Sequence, residues 1–114
     1  IKLAEISLKD FTDKAKNEVL DWFSINPAHW LMLHKVMIAY LKNETITKNQ
    51  LISFSVRSYL TSNSYIDQAV KKNYFKTIRN KKDKRSIFIL PTELTIKVFS
   101  DYVDKRAWLY KSIK

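Results

Sequence analysis

Not one of the 114 residues is glycine, and that absence narrows what the chain can do. Glycine is the residue that lets backbone come close to a phosphate and reaches positive φ at no steric cost. Phosphate-cradling P-loops and dinucleotide-binding fingerprints need it at set places, so both are excluded. Cysteine is missing as well. That removes disulfides, thiol nucleophiles and thiolate metal sites, and it fits a reducing compartment. The two histidines, His29 and His34, lie five residues apart with no third ligand suggested. They read as packing or surface residues, and neither a metal nor another cofactor is expected. No apolar run approaches the roughly 18 residues of a membrane span, and no signal peptide is visible. The first residue is Ile1, as expected of a processed or trimmed chain.

The charge is uneven as well as large. Lys plus Arg number 21 and Asp plus Glu 11, a net of +10. Residues 71–85, KKNYFKTIRNKKDKR, hold eight basic side chains and one acidic, so +7 of that excess sits in one short stretch. A concentrated basic patch is the electrostatic footprint of a polyanion binder, against the plainer reading of a solvated basic loop. The eleven carboxylates are scattered along polar faces, and no Ser–His–acid order stands out. Catalysis needs convergent titratable groups in a cleft, so no enzyme is expected.

A chain of this length makes one domain. Apolar residues at Leu3, Ile6, Leu8, Phe11, Ala15, Val19, Leu20, Trp22 and Phe23 predict an amphipathic helix over 3–24, stopped before Pro27. Pro27 suits the first turn of a second helix capped by Asn26. That helix is apolar nearly all round and should be central. Thr45 to Thr47 is a short β-branched piece. Thr47 and Gln50 have the spacing of a capping box, which opens a short helix with Leu51, Ile52 and Phe54 on its apolar face. A turn through Ser55 to Ser58 leads to a helix ending near Lys72, with Ser58 as its cap. Tyr59, Ile66, Ala69 and Val70 lie on one side of it. Asn73 then suits the left-handed position that closes a helix where glycine is absent. From there the apolar period changes to 2. Tyr74 to Arg79 and Ser86 to Leu90 flank a charged tip, which predicts a β-hairpin. Thr92 caps a last helix carrying Leu94, Val98, Phe99, Tyr102, Val103, Trp108 and Leu109.

The order is helix, helix, short strand, helix, helix, β wing, helix: a mainly α chain with a small β-hairpin, the pattern of a winged helix-turn-helix. The polar helix can enter a major groove with short hydrogen-bonding side chains, and the hairpin tip can carry cations toward an adjacent minor groove. Residues 47–92 resemble the DNA-binding core of MarR-family transcriptional regulators. Thr47 and Leu51 match the family's Thr and Leu at the short helix, Asn73 stands at its closing glycine, Asp83-Lys84-Arg85 matches its Asp-x-Arg wing tip, and Pro91-Thr92 matches in part the pair opening its dimerisation helix. Asn for Gly at 73, Ala69 for a usual Leu, and a one-residue shift of the apolar position at 90–92 mark the chain as a divergent relative.

The resemblance implies a cytoplasmic, nucleoid-associated homodimer on double-stranded DNA, and a small-molecule effector whose nature the residues do not specify. Residues 45–92 would be the DNA-binding core, with 1–24 and 93–114 as dimerisation helices. Asp83 would shape the wing tip and Arg85 would reach the minor groove. The recognition face would be Thr61, Ser62, Asn63, Ser64 and Gln68, with Lys71, Lys72, Lys81, Lys82 and Lys84 on phosphates. Trp22, Trp30 and Trp108 read as core or interface residues, and Tyr74 and Phe75 as packing the hairpin onto the helices. The alternative is a winged-helix module that binds nucleic acid without sequence preference, or binds a protein, in replication or a phage function.

Overall fold

In a computed structural model, residues 2–5, 8, 17–55 and 57–111 are described, 108–111 as helical backbone only. The elements are α1 (Glu18–Phe23), α2 (Pro27–Leu41), α3 (Lys48–Ser53), α4 (Tyr59–Lys71), β1 (Phe75–Arg79), β2 (Ile87–Pro91) and α5 (Glu93–Lys111). The mainly helical winged helix-turn-helix expected from the sequence is the fold observed. None of the described helices is long and apolar enough to cross a membrane.

One expectation fails at the start. The single helix over 3–24 is interrupted at Asn17, whose backbone is extended at φ −105° and ψ 121°. Its side chain accepts from the amides of Val19 and Leu20, at 3.0 and 3.1 Å, and so opens α1 as a separate helix. A mid-pattern Asn can bond nearby backbone instead of continuing a helix, and that local competition wins here. Residues 2–5 and 8 are helical and exposed; Ile6, Phe11 and Ala15 lie outside the described residues, as do the side chains of Trp108 and Leu109.

The other starts fall where the capping residues put them. Asn26 accepts from the His29 amide at 3.0 Å, with Pro27 in the first turn of α2. Thr47 and Gln50 form the reciprocal capping box of α3, at 3.1 and 2.9 Å. Ser58 caps α4 through the Thr61 amide at 3.2 Å. Two asparagines take the left-handed conformation that glycine would otherwise supply: Asn73 at φ 64°, after α4, and Asn43 at φ 57°, after α2.

Helix α2 runs through the middle, with Met32, Leu33, Val36 and Met37 each 1% exposed or less. Around it pack Phe23 from α1, Leu51 from α3, Ile66 and Ala69 from α4, and Phe75 and Ile89 from the hairpin. Two large side chains depart from the expected apolar faces. Phe54 is exposed, with the Lys35 ammonium 4.4 Å from its ring centroid, and Tyr59 is exposed in the first turn of α4. The strands pair antiparallel in the register Phe75↔Pro91 to Arg79↔Ile87. The Thr45–Thr47 piece joins them by one bridge, Thr47↔Phe88, and the Ile89 amide donates to the Ile46 carbonyl at 2.9 Å. Tyr74 and Phe75 are buried and hold the hairpin to the helices as expected.

A buried knot of threonines ties the second half together. The Thr92 hydroxyl donates to the Asn73 carbonyl at 2.8 Å, and the Thr95 hydroxyl donates to the Tyr74 carbonyl at 2.7 Å. The Thr92 amide also donates to the Tyr74 carbonyl, at 3.2 Å. The end of α4, the start of β1 and the start of α5 thus meet at one point. Each such bond contributes about 1 kcal/mol, and more would be lost by leaving a buried carbonyl unpaired.

His29, on α2, is 3% exposed. Its ring lies 4.5 Å from the Trp22 ring and 4.1 Å from the Tyr65 ring, between centroids. Neither ring nitrogen has a hydrogen-bond partner among the described residues. Burial therefore holds its pKa below the ordinary value and favours the neutral ring. In the unfolded chain the ring takes a proton below pH about 6.5. The stability that a neutral His29 provides is complete above that pH and is lost as the pH falls below it. Unfolding free energies of the wild type and of His29→Leu from pH 7.5 to 5 should diverge on acidification, with the wild type falling more steeply.

Candidate nucleic-acid interface

α4 is amphipathic because its apolar residues recur at helical spacing. Ile66 and Ala69 are buried, and Tyr65 and Val70 are partly so. The face turned to solvent carries Ser64, Asp67, Gln68 and Lys71. Among the expected recognition residues, Ser64 and Gln68 stand fully on this face, and the Gln68 amide donates to the Ser64 hydroxyl at 3.1 Å. Thr61 and Asn63 are half-buried and flank it. Thr61 accepts from the Ser58 hydroxyl at 3.0 Å, and Asn63 lies 3.4 Å from the Asp67 carboxylate. Five residues of helix set Asn63 and Gln68 about 140° apart around the axis, so they occupy opposite edges of the exposed face.

Ser62 does not belong to this surface. It is 0% exposed, and its hydroxyl donates to the Ser55 hydroxyl at 2.9 Å. Its position aligns with Ile66 and Ala69, so the helical period that buries those two buries Ser62 as well. Its role is to fasten α4 to the turn that precedes it. The polar type of the residue suggests solvent; the period is the better guide.

Asp67 shares the exposed face and is absent from the expected recognition set. Its carboxylate is met by the Lys48 ammonium of α3 at 2.9 Å. An ion pair this exposed contributes at most about 1 kcal/mol. Its main effect is to offset a negative charge that would otherwise face any polyanion. Lys48 and Asp67 are 19 residues apart, a separation at which no periodicity in the sequence signals contact.

The hairpin tip is organised around Asp83. Its carboxylate accepts from the Arg85 amide at 3.1 Å, and the Arg85 guanidinium lies 3.4 Å away. The Ser86 amide donates to the Asp83 carbonyl at 2.9 Å. Asn80 accepts from the Lys82 amide at 2.9 Å, and Arg79 braces the tip from β1 by donating to the Lys84 carbonyl at 2.6 Å. The Arg85 side chain remains 95% exposed despite its carboxylate neighbour. Arg79 and Lys76 are likewise absent from the expected contact set, although the basic stretch includes them and both stand on an exposed strand.

The electrostatics follow from these placements. Lys71, Lys72, Lys76, Arg79, Lys81, Lys82, Lys84 and Arg85 are all exposed. Every cation in the +7 stretch therefore faces solvent, from the last turn of α4 to the wing tip. No cluster of three or more potential metal ligands occurs among the described residues.

No family model matches the chain, and no curated protein does. Solved structures do match in fold. The transcriptional regulator Tm0710 from Thermotoga maritima superposes with a TM-score of 0.66 at 19% identity, over 97% of this chain and 74% of that one. The S. aureus MepR–DNA complex gives 0.63 at 18% identity, over 96% and 89%. A mutant of MarR from E. coli, complexed with operator DNA, gives 0.58 at 19% identity, over 88% and 67%. The resemblance read from residues 47–92 thus extends in three dimensions over nearly the whole chain, which has the winged helix-turn-helix fold shared by Tm0710, MepR and MarR.

Proposed function

We propose that this protein is a DNA-binding transcriptional regulator that reads duplex sequence as a homodimer. The observation that carries the reading is the exposure of all eight cations from Lys71 to Arg85, spread from the end of an amphipathic helix with a polar outer face along the wing joined directly to it. Two of the similar structures were solved with DNA, which supports duplex DNA as the partner. In this reading α4 enters the major groove. Ser64 and Gln68 face base edges, Asn63 and Thr61 reach them from the flanks, and Lys71 and Lys72 meet phosphates. Lys81, Lys82 and Lys84 follow the backbone, and Arg85, positioned by Asp83, enters the minor groove. Arginine suits a narrow minor groove because negative potential is highest there.

Residues 45–92 are the DNA-binding core in this proposal, and 1–24 with 93–114 pair two copies. Leu94 and Val103 are exposed on α5, and in a groove between α1 and α5 the apolar part of the lining is Leu20, Leu94, Val98 and Tyr102, beside the charged Lys97, Asp101, Asp104 and Lys105. Apolar surface of this kind is what a second copy would cover. Sedimentation of the intact chain should show a dimer, and deletion of residues 1–20 should weaken it. A truncated chain that folds and dimerises equally well would take the N-terminal segment out of the interface.

Binding should depend steeply on salt. Each phosphate neutralised contributes about −0.9 to the slope of log K against log salt. Replacing Lys81, Lys82 and Lys84 together by alanine should flatten that slope by roughly two to three per protomer. An unchanged slope would place the wing off the DNA.

The helix and the wing should fail differently. On a site selected from random duplexes, Asn63→Ala should cost about 1–3 kcal/mol while barely changing affinity for scrambled DNA. Arg85→Ala should weaken both more evenly, apart from a preference for narrow A·T-rich flanks. Equal losses on both DNAs for Asn63→Ala would instead favour a module without sequence preference.

A further inference from the structure

The first turn of α4 holds a side chain that the fold does not need. Leu60 is 79% exposed, more than any other large hydrophobic among the described residues, and the adjacent Tyr59 is 58% exposed. A single exposed leucine is ordinary on a protein surface. This one heads a line along the helix, through Ser64 and Gln68 to Lys71, at intervals of four, four and three residues. That line runs from apolar to hydrogen-bonding to cationic, and the Gln68–Ser64 bond keeps its middle aligned. At its far end it joins the exposed cations of the wing. Helix formation does not explain the leucine, since an exposed first turn is served as well by glutamate, which also complements the helix dipole.

In helix-turn-helix docking the N-terminal residues of the second helix meet the base edges. A major groove offers one apolar group at those edges, the 5-methyl of thymine. From the exposure of Leu60, its place at the head of the line and the cations that follow, we infer that Leu60 is a specificity-determining residue that covers a thymine methyl in the major groove. The inference rests on the duplex-DNA reading above and adds to it a particular base. Ser64 and Gln68 then contact the polar edges of the next pairs, and Lys71 meets the phosphates beyond them.

The test uses the full chain and a duplex selected from random sequence. Each thymine of the half-site is replaced in turn by deoxyuridine, which removes the methyl and leaves the pairing edge intact. At one position the wild type should lose about fourfold in affinity, the factor that burying one such group provides. Leu60→Ala should bind the thymine site more weakly by a similar factor and be indifferent to deoxyuridine there. The leucine is exposed, so this variant should unfold at the wild-type temperature. Selected half-sites without thymine, a wild type indifferent to deoxyuridine at every position, or a Leu60→Ala variant as sensitive as the wild type would each overturn the inference while leaving DNA binding intact. Failure to bind any duplex would overturn the inference together with the reading beneath it.

Discussion

The Tyr74 carbonyl is the point on which the second half of the molecule turns. It accepts from the Thr92 amide and from the hydroxyl of Thr95, while Thr92 also bonds the Asn73 carbonyl. Three elements therefore share one buried polar node: the amphipathic helix α4, the wing and the long terminal helix. Buried polar groups are costly unless paired, so the node has few alternative arrangements. A rotation of α5 about its start would have to carry β1 and the end of α4 with it, or break the node. If the proposed dimer and DNA contacts hold, a contiguous connection of this kind would couple them, and it is only a few residues long.

The interface has two electrostatic characters. The wing is cationic along its length, with Asp83 turned inward to its own loop. The helix is nearly neutral on its outer face, because Lys48 attends Asp67 and the cations gather at the last turn. In the proposed DNA complex, attraction at a distance would come from the wing, where charge is dense and little desolvation is required. Discrimination would come from the helix, where short polar side chains and one leucine would have to fit what they touch. The Lys48–Asp67 pair also ties the first helix of the motif to the second, so the neutrality of the face depends on their packing.

Much of this is legible in the order of residues alone. Three capping residues, Asn26, Thr47 and Ser58, put helix starts where they occur, because an N-cap needs only a side-chain oxygen and a chain free to turn. Asn73 marks the end of α4 for an equally local reason. The change of period after it marks the hairpin. What escapes is non-local or concealed by residue type. Asn17 lies inside a pattern of apolar spacing that continues across it, so the break in the helix is invisible to periodicity. Ser62 looks like a surface residue because it is polar, yet its bond to Ser55 depends on how the turn folds back. The Lys48–Asp67 pair joins two elements through tertiary packing. Leu60 draws no notice in the sequence because a lone leucine in a polar helix suggests a core position until its direction is known.

The two left-handed asparagines have a consequence for the state the protein leaves when it folds. An average chain of this length would contain about eight glycines. Each glycine enlarges the set of conformations open to the disordered chain, and replacing one by alanine where the geometry allows is worth about 0.4–1 kcal/mol. By turning at Asn43 and Asn73 instead, this sequence begins from a narrower ensemble and loses less backbone entropy on folding. The accumulated difference amounts to several kcal/mol, comparable with the whole net stability of an ordinary small domain. A core that also holds a histidine whose ring nitrogens have no hydrogen-bond partner among the described residues can draw its margin from the stiffness of the unfolded chain as well as from the packing of the folded one.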